Sequence, residues 1–497
     1  MTGLWAWPGS VLSSNNPAVR MLGVADGLPD HHVEALVQDR DGFVWIATRN
    51  GLVRHEGQRL RMMRVDATDP LALPGANVQT LAAASNGHVW AAIEGYGLVE
   101  IDRRMRVVRQ LKPQAQQGRL LDADIWALAE GCDDTLWIAF SNGGLARYWT
   151  STDSLQLIPQ TEAHGLIERA YQMDVLVDAF CNVWALQSHR LAVLEEGAGT
   201  RFQPVLDRQA GEPLMMSIRA IPDRAIGLFQ GESITSIRRA DDGWRIEPLV
   251  DAPGVVVDGV QHADGWWSLS TFAGLLRWHP DTGQQALIDA SPGTYDGLPN
   301  NELFHLLLDQ DGGLWVSVAR SGVAYLSPDV WAFDRFRRAA GGQGSLPMQA
   351  VYALLPDEEP DHLWIAGRTE GLHRLNLEDG HVQSAGAVFD RAVLDRFERI
   401  NRLSRVGSEL IIAWTSQVDA FDTESRQFRQ LFDSPGLANG TVRRIESDHQ
   451  DELWLGLYEG DLLRYQRSSG QLERFSPSDQ SLGQPNCAGI TGITRDP

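Results

Sequence analysis

The stretch GLPDHHVEALVQDRDGFVWIATRNGLVRHEG, from Gly27 to Gly57, decides the fold. Val33 to Gln38 reads as an apolar strand. Asp39-Arg40-Asp41-Gly42 reads as a hairpin turn, with glycine supplying the positive φ that a tight turn needs. Val44 to Thr48 is a second strand and carries Trp45; Arg49-Asn50-Gly51 is a second tight turn of Asn-Gly type. Leu52 to His55 is a third strand, Glu56-Gly57 turns again, and Leu60 to Val65 is a fourth, outer strand. Four short strands joined by turns make one twisted antiparallel sheet.

The same unit returns along the chain. GANVQTLAAASNGHVWAAIEGYGLVEID runs from Gly75 to Asp102, and DADIWALAEGCDDTLWIAFSNGGLARY from Asp122 to Tyr148. GLPNNELFHLLLDQDGGLWVSVARSGVAYL spans Gly297 to Leu326, and NGTVRRIESDHQDELWLGLYEGDLLRY spans Asn439 to Tyr465. The recurring tryptophan falls at Trp45, Trp90, Trp137, Trp184, Trp266 or Trp267, Trp315, Trp364 and Trp454. Ile226-Gly227-Leu228-Phe229 fills the long interval after Trp184, and Ile411-Ile412-Ala413-Trp414 the one after Trp364, which makes ten units. An eleventh begins at Gly489-Ile490-Thr491-Gly492-Ile493. A four-stranded unit repeated every ~40–50 residues is a propeller blade, and the tryptophan is expected to fill the gap between adjacent blades.

The fold class is therefore all-β: a β-propeller of four-stranded antiparallel blades, with one seven-bladed ring and part of a second. Ten blades exceed the four to eight that usually close a ring. The first ring is expected at residues 19–340 and the partial second at 341–497, with Ala339 to Ser345 as the boundary. Val19 to Val24 resembles an orphan outer strand that could complete a later blade and close a ring. Residues 1–18, which lack a basic start and a proper apolar stretch, read as an N-terminal segment and leader remnant.

Composition agrees. Of 497 residues, 43% are hydrophobic and 48 are glycine, and the 17 Trp outnumber the 15 Phe, as one Trp per repeat would produce. The formal net charge of −22 disfavours nucleic acid and anionic lipid as partners. Three cysteines rule out a disulfide framework. Cys132 and Cys181 precede the tryptophans of successive units, but equivalent points on neighbouring blades are expected to be too far apart for a bridge, so free thiols are expected. Such low cysteine usage suits the cytoplasm and the periplasm equally. No run of 18 apolar residues offers a membrane span.

The units Asp39-x-Asp-Gly-x-x-Trp-Ile-Ala-Thr-x-x-Gly-Leu, Asp309-x-Asp-Gly-Gly-Leu-Trp-Val and Gly27-Leu-Pro…Val33 resemble the two-component regulator propeller repeat, over nearly all of residues 19–497. The resemblance implies two seven-bladed propellers outside the cytoplasmic membrane. A β-sandwich, a transmembrane helix and a histidine kinase or diguanylate cyclase output domain would follow them. The fifth unit departs by lacking the Trp, and Ala47 and Ala139 stand where the family prefers Gly.

Motifs of catalysis are missing: there is no phosphate loop, Cys-x-x-Cys, His-Glu-x-x-His or Gly-x-Ser-x-Gly. Adjacent His31 and His32 would point to opposite faces of a strand, so neither a metal nor a cofactor is expected. Asp133-Asp134 and Glu358-Glu359 read as solvated turn carboxylates. One of Trp266 and Trp267 should fill the blade gap and the other point away, where it could stack on a ligand. The turn after the Trp strand differs in every unit, which suggests a differentiated face. Its candidate ligand-binding residues are Arg49, Tyr96, Asn142, Phe272, Arg320 and Arg368, with arginine forks for an anion and aromatic faces for a sugar. The leading expectation is a non-catalytic, periplasmic ligand-sensing region of a bacterial receptor. It would bind a small molecule or oligosaccharide and reach the membrane only through another segment; a homodimer is compatible with this reading. A polysaccharide-acting or lyase propeller enzyme and a protein-interaction propeller are the alternatives.

Overall fold

The computed structural model describes residues 18–113, 124–141, 144–209, 212–221, 225–241, 243–290, 297–332, 346–348, 350–367, 371–377, 380–384, 400–415, 417–425, 427–433, 441–447, 451–458, 460–476, 490 and 493. The expected boundary at 339–345 lies outside them. The described strands form ten four-stranded sheets, so the chain is an all-β propeller protein. No helix among the described residues is long and apolar enough to cross a membrane.

The chain divides into two compact units, the first running to residue 334 and the second from residue 335. In the first, six sheets are consecutive hairpins, beginning with Val33–Gln38, Val44–Thr48, Gly51–Glu56 and Arg59–Met62. The seventh takes three strands, Leu303–Leu308, Leu314–Val318 and Gly322–Leu326, and its outer strand is Arg20–Leu22, paired antiparallel with Gly322–Leu326. The two ends of the unit are thus tied by main-chain hydrogen bonds. A hydrophobic cluster lies between each sheet and the next. The last joins Trp315 and Val323 of the seventh sheet to Val44, Ile46 and Val53 of the first, which closes the circle. The second unit holds the sheets that begin at Val351, Ile400 and Val442.

The Asp-x-Asp-Gly-x-x-Trp motif has one physical cause. Asp39 Oδ1 accepts the turn N–H groups of Asp41 and Phe43, each at 3.0 Å, and its Oδ2 accepts the Trp45 indole N–H at 2.7 Å. Gly42 closes the turn at φ +88°, a value that favours glycine. Asp309 with Trp315 and Asp178 with Trp184 repeat the indole bond at 2.8 and 3.0 Å. The carboxylate satisfies the one polar atom of an otherwise apolar wedge, so the ring can be buried. Trp45 is 1% exposed against the second sheet. Burying such a ring is worth on the order of 4–6 kcal/mol as an upper estimate.

Blade six corrects the expected tryptophan position. Val37 faces Trp45 in the first sheet, and the equivalent pair in the sixth is Val260 and Ser268. The slot is therefore Ser268, whose Oγ lies 2.7 Å from His262 Nε2, so a His–Ser pair replaces the Asp–Trp pair. Trp267, one residue earlier, faces the other way and packs with Phe229 and Ile234 of the fifth sheet. That sheet has Gly227 in its own slot, so Trp267 fills the gap from the far side. Trp266 is half-buried against Arg277 and His279.

Further departures concern the cysteines and paired charges. Cys132 and Cys181 form a disulfide with Cα atoms 5.8 Å apart, against the expectation of free thiols. Both stand in the first hairpin turn of their sheets, where the innermost strands of blades three and four are already neighbours, so the turns approach within bridging distance. Glu358 and Glu359 are exposed but paired, with Arg405 at 2.8 Å and Arg374 at 2.5 Å. His31 and His32 precede the strand rather than lying in it, and His32 Nδ1 lies 3.2 Å from Asp30.

Candidate functional site

Each innermost strand begins with a β-bulge. The ladder skips Glu34, Gln79, Trp126, Met173, Met216 and Val257 in the first six sheets, and Phe304 and His305 in the seventh. A bulge removes a residue from the ladder and re-aims its side chain. Here the re-aimed residues meet at the centre. Glu34, Gln79, Trp126, Met173 and His305 line a mouth of about 550 Å3 together with Arg49, Asn77, Glu94 and Ile125. A channel of about 300 Å3 shares Glu34, Trp126, Met173 and His305 with it and adds Met216, Asp174, Arg219 and Asp258.

The mouth has two kinds of wall. Trp126 lines it and is backed by Tyr171, which stacks in parallel on it with ring centroids 5.8 Å apart and an interplanar angle of 5°; the two are 41% and 54% exposed. Opposite chemistry comes from blades one and two. There Glu34 accepts from Arg49 at 2.5 Å, Glu94 from Asn77 at 2.5 Å, and Asp124 from Gln79 at 2.6 Å. The hydrogen bond that Arg49 donates to Glu34 holds the proton on Arg49 more tightly than usual. Deeper, Arg219 reaches Asp258 at 2.9 Å and Asp174 at 3.3 Å. Burial opposes the Arg219 charge, and the two carboxylates outweigh it, so its pKa is raised. Burial pushes the Asp174 carboxyl up and the His305 imidazole down, leaving His305 neutral at neutral pH.

The turn after the second strand and the linker before the innermost strand do share one face. Glu94 N–H donates to Asn77 O at 3.0 Å, Phe272 N–H to Val255 O at 3.1 Å, and Ala319 N–H to Glu302 O at 2.9 Å. Of the residues named from sequence, Arg49 stands in the cavity wall. Tyr96, Phe272 and Arg320 occupy the same register outside that wall: Tyr96 lies over Gly75, Phe272 packs edge-on against Phe304 at 5.7 Å, and Arg320 meets Glu302 at 3.4 Å. Asn142 and Arg368 lie outside the described residues. Arg49 and Arg320 are each paired with a carboxylate of their own blade, so this mouth is no positive patch. Sequence reasoning passed over the bulge residues. Their signal was a position that changes from Glu to Gln to Trp, between an apolar first residue and an apolar fourth, in blades one to three.

Residues 27–50 match the family model described as Two component regulator propeller, so the chain carries that repeat. Among solved structures, it is similar to the extracellular domain assigned to the hybrid two component system BT3049 from B. thetaiotaomicron. Identity is 14%, the TM-score is 0.69, and 93% of this chain and 61% of that one are covered. It is also similar to the extracellular domain assigned to the one component system BT4673 from the same organism, at 15% identity and a TM-score of 0.53, over 91% of this chain and 59% of that one. At these identities the likeness shows the propeller fold, and the chain spans about three-fifths of either domain. No curated protein matches the sequence.

Proposed function

We propose that this chain is the ligand-sensing propeller region of a bacterial signal-transduction receptor, exposed outside the cytoplasmic membrane, and that it binds its ligand without turning it over. A first ring over residues 19–340 would carry the site, and residues 341–497 would begin a second. The observation that carries this reading is the convergence of the bulged residues on one mouth with an aromatic wall and an amide–carboxylate wall. Such a pair of walls suits a small molecule or oligosaccharide with an apolar face and an edge of hydroxyl groups. The self-paired arginines favour a neutral ligand over an anionic one at this mouth. The Cys132–Cys181 bridge supports an oxidising compartment, as in the periplasm. The repeat match at residues 27–50 and the likeness to extracellular domains support the receptor reading.

Calorimetry of the whole chain against a panel of neutral oligosaccharides tests it. A binder should lose about tenfold or more in affinity in Trp126→Ala, since aromatic stacking contributes about 0.5–1.5 kcal/mol beyond the area it buries. Equal binding by wild type and variant would remove the site from this mouth. Cleavage of any panel member would replace the sensor reading with the enzyme one.

A further inference from the structure

The innermost strands of the second unit, Val351–Pro356, Ile400–Val406 and Val442–Ser447, carry the same bulge as those of the first. The residues skipped by the ladder are Tyr352, Asn401 and Arg443, and the next in each strand are Ala353, Arg402 and Arg444. These are the positions that line the cavity in the first unit. Here they bring arginines together. The Arg402 guanidinium donates to Tyr352 O at 2.6 Å on one neighbouring strand, to Arg443 O at 2.5 Å on the other, and to Asn401 O at 3.3 Å. It is therefore anchored across all three blades by carbonyl oxygens.

Carbonyls fix a guanidinium without neutralising it. Among the described residues, neither Arg402 nor Arg443 has a carboxylate within ion-pair distance, and Arg444 approaches only the exposed Glu446, at 3.7 Å. Arg443 is exposed and lies over the Tyr458 ring, 4.5 Å from its centroid. Burial and the charges of Arg444 and Arg443 pull the Arg402 pKa below its ordinary value, as expected of like charges held together. Tyr352 and Tyr458 are 41% and 51% exposed beside them. In a chain of net charge −22, such a cluster is a local inversion of sign.

We propose that the inner wall of the second unit, built on Arg402, Arg443 and Arg444 and flanked by Tyr352 and Tyr458, is a binding site for a small organic anion bearing a carboxylate or sulfo group. The planar guanidinium fork matches either oxyanion with two parallel donors. The tyrosine rings supply apolar faces for the body of the ligand. This site is separate from the mouth of the first unit and does not depend on what binds there.

The test titrates the whole chain with benzoate, benzenesulfonate and benzamide, followed by ligand-observed NMR. Benzamide keeps the ring and the shape and removes the charge. At least one of the two anions should bind ten times more tightly than benzamide. Arg443→Glu should weaken that anion at least tenfold, and Trp126→Ala should leave it unchanged. Benzoate and benzenesulfonate separate a carboxylate from a sulfo preference, and either preference supports the site. Arg443 makes no side-chain hydrogen bond or ion pair among the described residues, so its replacement should leave the melting temperature in place. If Arg443→Glu fails to fold, Arg443→Gln reads the same loss with the charge merely removed. Equal binding of benzamide and the anions, no binding of either anion, or unchanged anion binding in the Arg443 variants would each overturn the proposal.

Discussion

The two units share a backbone device and differ in what it presents. In both, a bulge at the head of the innermost strand turns one side chain out of the ladder. In the first unit the deep arginine, Arg219, sits between Asp174 and Asp258, and the mouth arginine, Arg49, is held by Glu34. In the second, Arg402 spans its two neighbouring strands but finds only carbonyl oxygens. The scaffold is thus repeated while the charge of the wall is set blade by blade. In this chain the fold resides in the positions that recur, and the chemistry of the inner wall in those that the ladder releases.

The largest expected difference between the units lies in packing. Trp45 is 1% exposed in a closed circle of sheets, whereas Trp454 is only half-buried. Trp45→Ala should cost about 3–5 kcal/mol, and Trp454→Ala distinctly less. Hydrogen exchange resolved by unit measures both; an equal loss would break the comparison. Next comes the disulfide, which only the first unit carries among the described residues. It closes a loop of 49 residues, and Cys132→Ser with Cys181→Ser should destabilise that unit by about 2–4 kcal/mol while the second holds its exchange pattern.

Acidification should then separate the units in order. His305, His262 and His55 all belong to the first, and burial lowers the pKa of each. The unfolded chain takes up these protons first, near the ordinary value of 6.5, so stability is full above that value and falls as pH drops through it toward the folded values. In the second unit the resolved acid shifts are those of carboxyls held low. Asp357 is held down by Arg374 against its own burial, Asp422 by Ser425, and Glu359 by Arg374. Their stabilisation is present above the ordinary carboxyl range and is lost only below it. Between pH 7 and 5 the first unit should loosen first, and simultaneous loosening would contradict this assignment. The smallest effect is expected on the turns: Arg320→Ala, outside the cavity wall, should change stability by less than about 0.5 kcal/mol. It should also weaken ligand binding less than Arg49→Ala does, by calorimetry.

How much of this was legible depended on what repeats. The strands, turns and indole slots follow from Asp39, Gly42, Trp45 and their recurrences, because each satisfies a local demand that returns from blade to blade, the fifth and sixth apart. Ser268 was hidden because Trp266-Trp267 imitates the motif one residue out of register, and register is a property of the pairing with Val260. The disulfide was missed because the distance between two hairpin turns is set by how neighbouring blades pack. The mouth was sought in the turns, where variation is most visible. Arg49 and Glu94 of those turns do line it, but Glu34, Gln79, Trp126 and Met173 line it as well from one strand earlier, and a residue inside a strand pattern gives no sign that the ladder skips it.

The central claim is that these released residues meet the ligand. Methionine methyl groups report on it without mutation: Met173 and Met216 line the channel, Met62 is 58% exposed on the outer strand of blade one, and Met348 is buried in the second unit. In the whole chain labelled with 13C-methyl methionine and titrated with a neutral oligosaccharide that calorimetry has found to bind, the Met173 and Met216 signals should shift in proportion to occupancy. Those of Met62 and Met348 should stay in place. Saturation of binding with Met173 and Met216 unmoved would contradict the account.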